Sequence, residues 1–309
     1  MRMLSQTVAT ALALVVAASI AEAQQKTPRK LVPLKKGYAA AKGVNYYYEI
    51  HGKGEPLLLL HGGLGSIDMF EPDLRALGKN RQVIAVDLYG HGRTALTDRS
   101  ISLIDMGDDM AVVLKGLGVK QADVMGYSLG GGVALRLAVQ HSEVVRRLVL
   151  VSTPYAQSGF YPEMLPQQAM VSSAMFEQMK STPIYLSYKA VAPKPEDFPR
   201  LLDKMGAYMK QPYDWSEDVK KLTMPVMLLY GDSDMITLDH AVSFYHLLGG
   251  GLKDAGWQRE NMSKNRLAIL PNVTHYEMFM SPALVPTALP FLNGEAAAPS
   301  SASRVKKGG

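Results

Sequence analysis

The stretch Asp123-Val124-Met125-Gly126-Tyr127-Ser128-Leu129-Gly130-Gly131-Gly132 places one serine between glycines two positions away on either side, where an apolar run gives way to a helical pattern. A turn that tight drives the serine backbone into a conformation disfavoured for residues with a Cβ. It also leaves no room for side chains at 126 and 130. Glycines collect at ordinary strand-to-helix turns too, so the G-x-S-x-G spacing alone is a weak signal. The context strengthens it. With a strand before and a helix after, Ser128 Oγ stands above a sheet edge, near the positive end of a helix.

A serine hydroxyl is a poor nucleophile unless a base takes its proton during attack. Seven histidines are available. His61 and His91 sit in glycine-rich loops, where a structural hydrogen bond is the commoner role. His51 lies in an early turn, His141 ends the helix after Ser128, and His240 and His246 share a later helix. His275 falls in a loop directly after the last strand-like run. All strands of a parallel sheet open their C-terminal ends on one edge, so His275 is the candidate base. An acid must fix its tautomer, and Gly231-Asp232-Ser233-Asp234 supplies two. Spacing alone does not choose between Asp232 and Asp234. A tetrahedral intermediate needs two backbone donors. The Leu129 amide is one, and the loop His61-Gly62-Gly63-Leu64 offers Gly63, with Leu64 as the alternative.

These residues must be carried by elements that converge. Pro56–Leu60, Val83–Leu88, Leu148–Val151 and Val226–Tyr230 are short, largely apolar runs, as strands buried on both faces should be. Val44–Ile50 reads as an earlier, half-exposed strand, Ala122–Met125 leads into the serine, and Leu267–Leu270 comes last. Helical patterns lie between them: one starts at Ser102 with Asp105 three residues on, and others span Leu129–Gln140 and Leu238–Leu248. This alternation predicts an α/β fold, a mostly parallel doubly wound sheet. The stretch from Pro154 to Asp218 interrupts it, with eight prolines, no strand-like run and Met164, Met170, Met175, Met179, Met205 and Met209. Such a segment suits an inserted helical cap whose methionines line an apolar pocket.

The 309 residues carry a net charge of +5, but the charge sits at the ends. Residues 24–36 contribute +5 and the segment from Gly294 +2, leaving residues 37–293 at about −2. No nucleic-acid surface is expected. The first residues, MRMLSQTVATALALVVAASIAEAQQ, have one early Arg, an apolar core from Val8 to Ile20 and Ala21-Glu22-Ala23, the pattern of a cleaved secretory signal. That core is shorter than the roughly 20 residues a spanning helix needs, so no stable membrane insertion is expected. There is no cysteine, hence no disulfide, thiolate metal site or lipidated cysteine. The expected organisation is a signal peptide over 1–23, a basic linker over 24–43, a core over 44–153 and 219–293, a cap over 154–218 and a tail over 294–309. The expected location is the periplasm or the medium of a bacterium.

His61-Gly62-Gly63, Asp87-Leu88-Tyr89-Gly90-His91-Gly92, Gly126-Tyr127-Ser128-Leu129-Gly130, Gly231-Asp232-Ser233-Asp234 and His275 together resemble the α/β-hydrolase fold superfamily, in particular its single-chain serine hydrolases with a helical cap. The resemblance covers roughly residues 40–293 and keeps the family's order of nucleophile, acid and base. It implies Ser128, Asp234 and His275 as a catalytic triad, with Asp232 a bystander, and Gly63 and Leu129 as the oxyanion hole. It implies no metal and no organic cofactor. The nucleophile is not the aspartate of haloalkane dehalogenases and epoxide hydrolases of this fold. The oxyanion loop also lacks the longer glycine run of the hormone-sensitive lipase-like branch. The implied function is hydrolysis of a small-molecule carboxylic ester through an acyl-enzyme. The same triad also serves carbon–carbon bond, lactone and amide hydrolases and perhydrolases.

Overall fold

The computed structural model describes residues 31–295. The chain divides into Met1–Val32 and Pro33–Gly309, and the second unit carries the sheet and its helices. The expected signal peptide, and the expected tail beyond Glu295, lie outside the described residues.

Eight strands among the described residues form one sheet: β1 (Lys35–Ala41), β2 (Val44–His51), β3 (Glu55–Leu60), β4 (Arg81–Val86), β5 (Ala122–Tyr127), β6 (Val145–Val151), β7 (Val226–Ser233) and β8 (Arg266–Thr274). Their order is β1-β2-β4-β3-β5-β6-β7-β8, with β2 antiparallel to both β1 and β4 and every other neighbouring pair parallel. The helices in chain order are α1 (Glu71–Leu77), α2 (Leu103–Gly116), α3 (Leu129–Gln140), α4 (Met164–Ala169), α5 (Phe176–Met179), α6 (Pro183–Val191), α7 (Phe198–Met209), α8 (Ser216–Val219), α9 (Leu238–Leu247) and α10 (Leu284–Leu292). The apolar runs of β3, β4, β5 and β6 are buried along their length because helices cover both faces of a parallel sheet. The Ser102 hydroxyl accepts the Asp105 amide at 3.2 Å and opens α2, as the sequence suggests.

Two expectations are corrected. Lys35–Ala41 is not the end of a basic linker but edge strand β1, paired along its whole length with β2. Its lysines are exposed at the outer end, a usual way to protect an edge, while Ala41 enters the core. Strand β2 is not half-exposed. It lies between β1 and β4, so Tyr46, Tyr47 and Tyr48 are buried.

The segment after β6 leaves the sheet and carries α4 to α8 before β7 returns to it. Its entry and exit strands are held together, with the Gln157 amide on the Tyr213 carbonyl at 3.0 Å and the Trp215 amide on that of Tyr155 at 2.9 Å. The Tyr155 ring stacks on His240 of α9 at 4.0 Å. Helix α7 turns Phe198, Leu201, Leu202 and Met205 inward, and all four are buried.

Candidate active site

Ser128 stands between the end of β5 and the start of α3 with φ 52° and ψ −116°, a strained backbone for a residue with a Cβ. Two hydrogen bonds hold it there: its amide donates to Val151 at 2.9 Å, and its carbonyl accepts the Gly132 amide at 3.0 Å. The flanking glycines are sterically required. A Cβ at Gly126 would strike the Gly130 carbonyl, and one at Gly130 would strike the carbonyls of Leu60 and His61. Close approach of β3, β5 and α3 at this point leaves no space for either.

His275 follows β8 directly, and its Nε2 lies 3.0 Å from Ser128 Oγ. Its Nδ1 lies 2.8 Å from Asp234 Oδ1. A carboxylate only accepts, so Nδ1 carries the proton and Nε2 is left to accept from the serine hydroxyl. The two aspartates left open by spacing are thereby separated. Asp234 faces His275, whereas the exposed Asp232 accepts the backbone amides of Asn272 and Val273. Asp234 is itself surrounded: the Ser152 hydroxyl donates to Oδ2, and the Ile236 amide reaches Oδ1 at 3.3 Å. Burial alone would push its carboxyl up. The His275 ring beside it, with the Ser152 hydroxyl, outweighs this and holds it below the ordinary carboxylate value.

Four other histidines are engaged elsewhere. His61 Nε2 accepts the Leu88 amide at 2.9 Å while its Nδ1 donates to the Gly62 carbonyl, and His91 Nδ1 donates to that of Tyr89. Burial pushes His61 down to about 4 and His91 down to about 3, so both are neutral parts of the glycine-rich loops. His51 pairs with Glu49 and His141 with Asp108.

The His61–Gly65 loop runs beside the serine turn. A Cβ at Gly62 would lie 3.6 Å from that of Ser128, and one at Gly63 would lie 3.8 Å from that of Leu129. Neither the Gly63 nor the Leu129 amide has an acceptor among the described residues, and an amide in the first turn of a helix has none within it. Leu64 has φ 57°, inside the turn closed by the Gly65 amide on the Gly62 carbonyl. Met205 of α7 roofs this loop, its Cε 3.1 Å from where a Gly63 Cβ would stand.

Two contributors are not visible in the motifs. Ser152, with φ 50°, reaches Asp234 from the end of β6, a strand end whose sequence stands out only for lacking an acid. Tyr127 donates its hydroxyl to the His275 carbonyl at 2.6 Å. No set of three or more histidine, aspartate or glutamate side chains is placed to hold a metal among the described residues. None of the helices described is long and apolar enough to cross a membrane.

The sequence model of the alpha/beta hydrolase fold matches residues 55–184, the part that carries the glycine loops and Ser128. A protein of Azorhizobium caulinodans named "Putative carbamate hydrolase RutD" is 33% identical over 151 residues, 48% of this chain and 57% of that protein. A 2-hydroxymuconate semialdehyde hydrolase of Pseudomonas sp. (strain CF600) is 38% identical over 117 residues, 37% of this chain and 41% of that one. The chain thus spans about half the length of the curated relatives it matches. Among solved structures, the carboxylesterase CesB (YbfK) of Bacillus subtilis superposes with a TM-score of 0.64 at 20% identity, covering 85% of this chain and 92% of that one. The enol-lactonase of Burkholderia xenovorans LB400 gives 0.61 at 19% identity, covering 83% and 100%. Sheet order, serine turn and these likenesses define one class. The chain has the α/β-hydrolase fold.

Proposed function

We propose that this chain is an exported serine hydrolase of small carboxylic esters, with Ser128 as nucleophile, His275 as general base and acid, and Asp234 as the group that orients the imidazole. The observation that carries the proposal is the unbroken relay from Ser128 Oγ to His275 Nε2 at 3.0 Å and from His275 Nδ1 to Asp234 Oδ1 at 2.8 Å.

As Ser128 Oγ attacks the ester carbonyl, its proton passes to His275 Nε2, and Asp234 stabilises the imidazolium. The oxyanion forms against the amides of Gly63 and Leu129, which have no other acceptor among the described residues. His275 returns the proton to the departing alcohol. The acyl-enzyme is then cleaved by a water that His275 deprotonates, restoring Ser128. Export to the periplasm or medium is supported by the signal-like pattern of residues 1–23. The Met-rich segment from 154 to 218 serves as the cap over an apolar acyl pocket, supported by Met205 against the oxyanion loop.

The relatives named for carbamate and for 2-hydroxymuconate semialdehyde hydrolysis support a second reading. In it the same relay acts on a carbonyl other than an ester's, in a carbamate, amide, lactone or carbon–carbon substrate. A panel of p-nitrophenyl acetate and butyrate, a lactone, a carbamate and a dienoic diketone separates the two. The first reading predicts the highest kcat/KM on the nitrophenyl esters. A preference of 100-fold or more, roughly 2.7 kcal/mol, for any other class overturns it.

A further inference from the structure

Asp232 carries the strand end that delivers the base, although its carboxylate is exposed and never touches the imidazole. Gly231 pairs with Leu270 and Ser233 with Thr274, so one residue of β7 lies opposite three residues of β8, Pro271 to Val273. This is an irregular bulge, and Asn272 within it has φ 58°. A bulge strips backbone amides of their ladder partners. Here the lost acceptors are replaced by one side chain, since Asp232 Oδ2 takes the Asn272 amide at 2.9 Å and Oδ1 takes the Val273 amide at 3.3 Å. Those two bonds, led by the Asn272 amide, also hold the Asp232 carboxyl below its ordinary value, so it is charged where the bulge needs it. Gly231 permits the fit, because a Cβ there would strike the Val273 carbonyl. Two residues further on, the chain is caught again by Tyr127, whose hydroxyl holds the His275 carbonyl at 2.6 Å and whose ring lies 5.5 Å from the imidazole.

We propose that Asp232 is a positioning residue. By filling the β7–β8 bulge it fixes the register that brings His275 to Ser128, with Tyr127 as the second anchor of the same loop. The proposal rests on Ser128 being the nucleophile and His275 its base. It goes beyond that reading by assigning a catalytic consequence to a surface carboxylate.

Asp232→Ala, Asp232→Asn, Tyr127→Phe and Ser128→Ala are compared in the full chain by steady-state kinetics on a p-nitrophenyl ester, by the rate of fluorophosphonate labelling and by thermal melting. A misplacement of about 1 Å costs on the order of 100-fold in rate. Asp232→Ala therefore lowers kcat and the labelling rate together by about 10- to 100-fold, with KM changed less than about 3-fold, at temperatures where the variant is fully folded. Asp232→Asn keeps one acceptor oxygen and recovers part of the loss. Tyr127→Phe lowers the same two rates without moving KM. Wild-type kcat in Asp232→Ala, or a loss no smaller in Asp232→Asn than in Asp232→Ala, overturns the proposal. If Ser128→Ala abolishes turnover while Asp232→Ala is unimpaired, only the positioning role fails. Undiminished turnover in Ser128→Ala removes the nucleophile and this proposal with it.

Discussion

Ser128 Oγ and His275 Nε2 meet at 3.0 Å across 147 residues of chain. The contact exists because β5 and β8 end on the same edge of a parallel sheet, with the ends of β6 and β7 between them contributing Ser152 and Asp234. Four strand ends thus build one chain of hydrogen bonds, and the behaviour expected of variants follows from it.

Residues acting as one relay lose function together. Ser128→Ala and His275→Ala should each lower kcat on a p-nitrophenyl ester by about 10⁴-fold or more, and the double variant should be no worse than either single one. Steady-state kinetics on the three proteins checks this. Multiplicative losses would mean that the two side chains work separately.

The serine turn tolerates no added carbon. Gly126→Ala and Gly130→Ala drive a Cβ into backbone carbonyls, so each should destabilise the fold by about 3 kcal/mol or more, seen as a large drop in Tm or loss of soluble protein. Gly116→Ala at the exposed end of α2 meets nothing within 4 Å and should leave Tm unchanged or slightly raised.

In the proposed reaction Met205 is the side chain placed to limit the depth of the acyl pocket. It is 1% exposed and its methyl end lies against Gly63. Met205→Ala should raise kcat/KM for hexanoate relative to acetate esters by roughly 10-fold, since each methylene accommodated is worth about 1 kcal/mol or more. It should also lower stability by about 2 to 4 kcal/mol. An unchanged chain-length profile would place the acyl group elsewhere.

His61 makes the fold acid-sensitive. Burial holds it at about 4 against an ordinary value of 6.5, and its Nε2 accepts the Leu88 amide only while unprotonated. Between those values the unfolded chain binds a proton that the folded chain does not. The stability is fully present above pH 6.5 and is lost progressively as pH falls towards 4, by up to about 3 kcal/mol. The Tm gap between wild type and His61→Asn should therefore narrow from pH 7 to pH 4. A gap that widens would contradict the neutral assignment.

Much of this was legible in the residues themselves. The apolar runs of β3 to β7 announce buried parallel strands because helices must cover both of their faces. The glycines around Ser128 announce a turn that permits no Cβ. Strand β1 was not legible, since Lys35, Lys36, Gly37 and three alanines have little intrinsic strand preference and are held by pairing with β2. The partners of the relay were hidden for a different reason. Ser152 meets Asp234 across 82 residues, and Tyr127 meets His275 across 148. Such pairs follow from strand order and from a bulge, neither of which composition or spacing encodes. Asp232 looked like an ordinary turn residue because its acceptors serve the backbone of a strand 40 residues away.

Every role proposed for the strand ends depends on Ser128 being the nucleophile. Reacting the purified chain with a fluorophosphonate and mapping the adduct by peptide mass spectrometry should place one label on the peptide bearing Ser128, with ester turnover lost in step. An adduct on another residue, or full turnover by a chain whose Ser128 is completely labelled, would contradict it.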